Sequence, residues 1–188
     1  MRLTKWVIGG VILLVILPSF LLWEGTRAAE YSSKNLYSSL GIQRINPPLE
    51  AIDFTLENLQ GSQVSLADFE GKVIFLNFWA TWCPPCRIEM PDMEKLWQKF
   101  KDEDFVILAV DLRERKDKVS SFVKENGYTF PVLLDSGGEV ANTYGITAIP
   151  TTYLLDPRGR IVGKALGARH WASDDAFKLI EHLLPKPR

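Results

Sequence analysis

The sequence predicts an α/β domain with a mixed central sheet, helices on both faces and an added N-terminal β-hairpin, preceded by one transmembrane helix. Three observations carry this expectation. Two apolar runs, residues 73–79 (VIFLNFW) and 105–110 (FVILAV), are too continuous for a sheet with one wet face and fit parallel strands covered on both sides. Helical periods alternate with strand patterns between residues 84 and 145, the order a layered α/β sheet requires. An 18-residue stretch without charge, residues 6–23, stands near the start of the chain.

That stretch (WVIGGVILLVILPSFLLW) would span about 27 Å as a helix, close to the hydrocarbon thickness of about 30 Å. Its terminal tryptophans suit the two interfaces. Arg2 and Lys5 precede it, so the basic bias puts the N-terminus in the cytoplasm and the body outside. A removable signal peptide is the other reading, but Thr26-Arg27-Ala28 matches a small-residue cleavage site poorly. No cysteine follows the run, which excludes a lipoprotein anchor. Either reading exports the domain, and the anchor reading makes it a single-pass protein of a bacterial cytoplasmic membrane, catalytic domain outside. The expected organisation is a cytoplasmic N-terminus at 1–5, a signal-anchor at 6–23, a spacer at 24–46, the folded domain at 47–185 and a tail at 186–188. Pro47-Pro48 marks the domain start.

Within the domain, residues 52–56 and 63–66 flank a Gly61-containing turn and form a hairpin. The 73–79 run is the first central strand. From Cys86 a helical pattern places Met90, Met93, Trp97 and Phe100 on one face. The 105–110 strand follows. Val119, Phe122 and Val123 mark a second helix that Asn126-Gly127 closes. Residues 130–134 form a short strand and 138–145 a short helix. Two strands at 151–155 and 160–165 flank Asp156-Pro157-Arg158-Gly159, a type I turn pattern. Ser173 caps a last helix whose first turn holds Asp174 and Asp175 and whose apolar face is Phe177, Ile180 and Leu184.

Composition narrows the function. A hydrophobic share of 46% and a charged share of 24% suit a globular protein, and a net charge of −1 without a basic stripe argues against nucleic-acid binding. The chain has two cysteines, in Cys83-Pro84-Pro85-Cys86. A disulfide scaffold uses several widely spaced pairs that close long loops, so this pair points to chemistry instead. Half of a zinc site is the competing reading, but structural zinc needs four ligands, and His170 and His182 stand far along the chain. His182 reads as a solvated helix residue and His170 as a loop residue.

The pair sits where a strand runs into a helix. Unpaired N–H groups and the positive end of the dipole at a helix start stabilise a thiolate, lowering a cysteine from about 8.5 into the range of roughly 3.5–7.5. Cys83 is therefore the expected attacking thiolate, exposed, and Cys86, one turn in, the more buried resolving thiol. Pro84 and Pro85 suit the first helical turn. Trp79 reads as core; Trp82, before the nucleophile, as a cover for the disulfide and a contact for a partner. Arg87 reads as a solvated neighbour.

Residues 78–87 (FWATWCPPCR) resemble the active-site stretch of the thioredoxin superfamily. Pro91 matches that family's helix-kinking proline, and Ile149-Pro150-Thr151 resembles the segment carrying its cis-proline opposite the disulfide. Asp53-Phe54-Thr55-Leu56, Gly61, Leu66 and Phe69-Glu70-Gly71-Lys72 resemble the extra N-terminal hairpin of TlpA/ResA-like proteins. The resemblance covers residues 47–185. It implies a thioredoxin-like fold and a membrane-anchored extracytoplasmic thiol–disulfide oxidoreductase that reduces disulfides in exported proteins. Apocytochrome c is a candidate substrate, a membrane-embedded thiol the electron donor, and no cofactor is needed beyond the Cys83–Cys86 dithiol/disulfide. It implies that Trp82, Pro84, Pro85, Ile149 and Pro150 bind substrate, Ile149 through its backbone. Where cytoplasmic thioredoxin has a buried acid, this chain has Asn77; the resemblance offers Glu89 as the replacement proton acceptor. Read by itself, Glu89 is equally a solvated residue near a helix start.

Two other functions compete. A thiol peroxidase of peroxiredoxin type shares the fold, but its family resembles itself in a threonine three residues before the reactive cysteine, where this chain has Ala80, with Thr81 one position off. A copper-binding assembly factor would need His170 as third ligand, and the flanking Ala168-Arg169-His170-Trp171 does not resemble a metal loop.

Overall fold

The computed structural model describes residues 36–185. The expected membrane span at 6–23 and residues 24–35 of the expected spacer lie outside the described residues. Among the described residues, no helix is long and apolar enough to cross a membrane.

The elements run β1 (Gln43–Glu50), β2 (Thr55–Asn58), β3 (Gln63–Ser65), a 3-10 turn (Leu66–Phe69), β4 (Val73–Trp79), α1 (Pro84–Phe100), β5 (Phe105–Leu112), α2 (Lys116–Asn126), β6 (Val132–Asp135), α3 (Glu139–Thr143), β7 (Thr151–Leu155), β8 (Arg160–Leu166) and α4 (Asp174–Leu183). The strands form one eight-stranded sheet in the order β1-β8-β7-β4-β5-β6-β2-β3. β4, β5 and β6 are parallel, and every other pairing is antiparallel. This is the thioredoxin-like mixed sheet with helices on both faces that the sequence led us to expect.

The alternation of β4 builds two cores. Val73, Phe75 and Trp79 face one cluster, with Met90, Met93, Leu96 and Phe100 of α1 and Leu179 and Ile180 of α4. Ile74, Leu76 and Phe78 face the other, with Phe54, Leu133, Tyr144 and Tyr153. Successive side chains of a strand point to opposite faces, so a continuous apolar run serves both layers at once. Each fully buried side chain of this size contributes about 1.5–3 kcal/mol. α1 and α2 lie on the same face because both crossovers, β4 to β5 and β5 to β6, step in the same direction with the same hand.

The folded part begins earlier than residue 47. A helical turn at 36–39 precedes that boundary and strand β1 straddles it, and Tyr37, Leu40 and Ile42 are buried. Pro47 and Pro48 lie inside β1, not before the first strand. Among the described residues β1 is the sheet edge, paired with β8 alone, and its register breaks between Arg44 and Leu49, across the prolines. An edge strand tolerates prolines, which lack the N–H a central strand would need.

Other boundaries follow the expected turn chemistry. Asp156 Oδ1 accepts the backbone N–H groups of Arg158 and Arg160, each at 3.0 Å, and so closes the β7–β8 turn. Ser173 caps α4, its hydroxyl accepting the Ala176 N–H at 3.3 Å.

Candidate active site

β4 ends at Trp79, which is wholly buried, and the chain turns through residues 80–83 into α1. Cys83 is the N-cap, in extended conformation, and Pro84 and Pro85 take the first two helical positions. Neither proline has an N–H to leave unpaired, so the first amide of the helix start is that of Cys86. It points at the Cys83 sulfur, 3.3 Å away. The two cysteines form a disulfide with Cα atoms 5.3 Å apart.

Cys83 is less open than expected. It is 2% exposed in the disulfide, against 0% for Cys86, and its sulfur lies 3.7 Å from the Ile149 carbonyl oxygen. What separates the cysteines is therefore the helix-start amide at the Cys83 sulfur, more than a contrast in burial. The Ile149–Pro150 bond is cis. Pro150 is buried, and its carbonyl accepts the Gly167 N–H at 2.8 Å.

Around the disulfide the surface is apolar. Trp82 is 62% exposed, Pro84 and Pro85 are exposed and Ile149 is half-buried. Ile88, 71% exposed and one turn beyond Pro84, belongs to the same rim and was missed in the sequence. The signal for it was the i, i+4 spacing from Pro84 on α1. Arg87 is exposed, its guanidinium 5.6 Å from the centre of the Phe122 ring.

Glu89 is buried, which removes the reading of a solvated helix residue. Three residues after Cys86, it shares that cysteine's face of α1 one turn deeper. Oε1 accepts the Asn77 amide at 2.9 Å; Oε2 accepts the Arg169 backbone N–H at 3.1 Å and Trp171 Nε1 at 2.9 Å. Burial pushes its carboxyl up to about 7, against the opposing pull of the bonds from Trp171, Asn77 and Arg169. Asn77 also donates to Thr152 Oγ1 at 2.9 Å, while its own buried Oδ1 has no partner among the described residues.

An acidic pair, Glu114 and Asp111, stands behind the turn, and nothing in the sequence marked it. Glu114 accepts the Thr81 backbone N–H at 2.6 Å and the Thr81 hydroxyl at 2.8 Å, and pairs with Lys118. Burial acts to raise the Glu114 pKa, but the bonds from Lys118 and Thr81 outweigh it and hold the group below the usual range. Asp111, at the end of β5, is buried beside Glu114. Burial, then the neighbouring Glu114 carboxylate, pushes Asp111 up to about 8. Its surroundings thus favour the protonated form, which can donate to Glu114 and so help to fix the turn before Cys83.

Among the described residues, no three His, Cys, Asp or Glu side chains come together as a metal site. His170 is 92% exposed, with Nδ1 3.6 Å from Asp92 Oδ2, and His182 is exposed on α4. The Thr81 hydroxyl gives its proton to Glu114 and so has no donor to offer at Cys83.

Comparison with known proteins agrees with this geometry. Residues 49–164 match the AhpC/TSA family. The thiol-disulfide oxidoreductase ResA of Bacillus cereus is 39% identical over 160 residues, covering 84% of this chain and 86% of the relative. Among solved structures, a thiol:disulfide interchange protein of the thioredoxin family from Chlorobium tepidum superposes with a TM-score of 0.66 at 31% identity, covering 75% of this chain and 99% of that one. A secreted thiol-disulfide isomerase from Corynebacterium glutamicum gives a TM-score of 0.67 at 26% identity, covering 74% and 92%.

Proposed function

Because the chain belongs to the AhpC/TSA family and is a ResA-like thiol–disulfide oxidoreductase of the thioredoxin superfamily, we propose that it reduces disulfides in exported proteins from the outer face of a bacterial cytoplasmic membrane. Apocytochrome c, with its C-x-x-C-H haem-attachment site, is the foremost substrate. The observation that carries this reading is the Cys86 amide aimed at the Cys83 sulfur, with the buried Glu89 one turn below.

In the dithiol form, the Cys83 thiolate attacks one sulfur of the substrate disulfide. A mixed disulfide forms and the substrate's other sulfur leaves as a thiolate. Cys86 then gives its proton to Glu89 and attacks the Cys83 sulfur, expelling the second substrate thiolate and closing Cys83–Cys86. Two electrons have passed to the substrate. A carboxyl near 7 suits this transfer, because proton exchange is most effective when the acceptor's pKa lies close to the working pH. Trp82, Pro84, Pro85 and Ile88 give an extended client an apolar seat, and the Ile149 backbone gives it a hydrogen-bonding edge. A membrane-embedded thiol donor returns the pair to the dithiol by the reverse exchange.

The uncharged stretch at 6–23 supports the membrane tether, and the secreted relative from Corynebacterium glutamicum supports an exported domain. A chain with no other cysteine also avoids scrambling its working pair in an oxidising compartment.

The test is covalent trapping. Cys86→Ser should accumulate mixed disulfides with exported proteins, apocytochrome c among them, and Cys83→Ser should not. Equal trapping by both variants would overturn the assignment of the attacking sulfur. Turnover of hydrogen peroxide at a rate rivalling disulfide exchange would move the protein to the peroxidase reading.

A further inference from the structure

Arg169 joins two parts of the domain that are distant in sequence. Its Nε donates to the Leu40 carbonyl at 2.8 Å and Nη2 to the Gly41 carbonyl at 3.0 Å, while Nη1 donates to the carbonyls of Gly167 at 3.2 Å and Ala168 at 2.9 Å. The guanidinium thus bridges its own loop and segment 36–42. That segment is itself well seated, with Tyr37, Leu40 and Ile42 buried and the Ile42 N–H donating to Tyr37 O at 2.8 Å. Gly41 makes the approach possible. It adopts φ +61°, and a Cβ there would stand 3.3 Å from Nε and 3.4 Å from Nη2. The backbone N–H of the same arginine, and the indole of Trp171 two residues on, hold Glu89 Oε2. One short loop therefore grips the start of the folded domain with one side and the buried carboxylate with the other.

We propose that Arg169 is a positioning residue whose clamp on segment 36–42 keeps its backbone N–H on Glu89, so that the seating of this segment sets proton handling at the cysteine pair. Segment 36–42 is where the chain arriving from the N-terminal apolar stretch enters the domain, which makes the tether's point of entry part of the redox site. The inference rests on the reading of Glu89 as the proton acceptor. The groups around that carboxylate are few. On α1 the titratable neighbours are Cys83 and Cys86; β4 and β7 present the uncharged Asn77 and Thr152; and the 167–171 loop presents the Arg169 guanidinium and the neutral Trp171. His170 of that loop is exposed and turned to Asp92. Losing the clamp withdraws a hydrogen bond and a positive charge that both favour the carboxylate, so the protonated form gains.

The test uses the full-length chain with Arg169→Gln, Gly41→Ala and Glu89→Gln. Two measurements are made in the reduced state: the Glu89 carboxyl carbon shift by NMR against pH, and the pH profile of Cys83 alkylation. Arg169→Gln and Gly41→Ala should each raise the Glu89 midpoint by about half a pH unit or more, roughly a threefold gain in proton affinity. Gly41→Ala leaves the residues at 169 and 89 unchanged and disturbs the clamp from the other side, so it carries the test should Arg169→Gln fail to fold. An unmoved midpoint in the folded variants, with the alkylation profile altered in Glu89→Gln, would overturn the clamp alone. An alkylation profile unaltered in Glu89→Gln would instead overturn the proton-acceptor reading, whatever the midpoints do.

Discussion

Replacing Glu89 by glutamine should remove a specific pH dependence from the stability of the fold. Burial holds this carboxyl at about 7, against an ordinary value of 4.5. The folded-state value lies above the unfolded one, so the folded chain binds this proton more tightly. The stabilisation is fully present below about 4.5 and is lost as pH rises through about 7. At about 1.4 kcal/mol per pH unit across that span, the loss amounts to up to about 3 kcal/mol. Glutamine does not titrate, and it faces three donors, Asn77 Nδ2, Arg169 N and Trp171 Nε1. Its own NH2 must meet at least one of them, at a cost of about 1–3 kcal/mol. The variant should therefore be the weaker protein at pH 4.5, and the gap should close or reverse by pH 8. Urea midpoints of both disulfide-intact proteins at pH 4.5, 6, 7 and 8 measure this; Asp111 also titrates but is common to both and cancels. A gap that stays constant with pH would mean that Glu89 ionises like a surface carboxylate and would refute the reasoning.

Three further outcomes follow from the site. Trp82→Ala and Ile88→Ser should each raise KM for a protein disulfide severalfold while shifting the urea midpoint little, since both side chains are mostly exposed; an unchanged KM would remove them from the client surface. Asp111→Asn keeps a donor toward Glu114 without the raised carboxyl, so its melting temperature should match the parent near pH 3.5 and exceed it by a margin that grows from pH 5 to pH 8; a margin that does not change with pH would show that Asp111 is charged in the folded state. Acid-quenched alkylation of the protein in cells should find Cys83 and Cys86 mostly as the dithiol, and a mainly oxidised pair would reverse the direction of electron flow.

How much was legible in the sequence depended on how local the cause was. β4 announced itself because a strand covered on both faces must be apolar throughout, and the cysteine motif because the strand-to-helix junction and the helix-start prolines are contiguous in the chain. The Ser173 cap and the Asp156–Gly159 turn were equally local. β1 was not legible: Pro47-Pro48 is a breaker inside a sheet, and only the edge position beside β8 makes it tolerable. Glu89 was half legible, since its spacing from Cys86 was visible but its burial depends on Trp171, 82 residues away. Glu114, Asp111 and Arg169 gave no signal, because each acts through partners brought near only by the completed sheet.

The redox turn springs from β4, whose residues are all buried and which is flanked by β5 and β7. Openings of a native protein begin where backbone is least covered, and here that means the outermost strands, β1 at one margin and the β2–β3 hairpin at the other. Amide exchange should rank β4 among the last segments to open, and the β2–β3 margin can detach while Cys83, Cys86 and the start of α1 keep their relation. On heating, thiol exchange should accordingly outlast the first losses of secondary structure there, and an activity assay would report the survival of the sheet's centre while remaining silent about that margin.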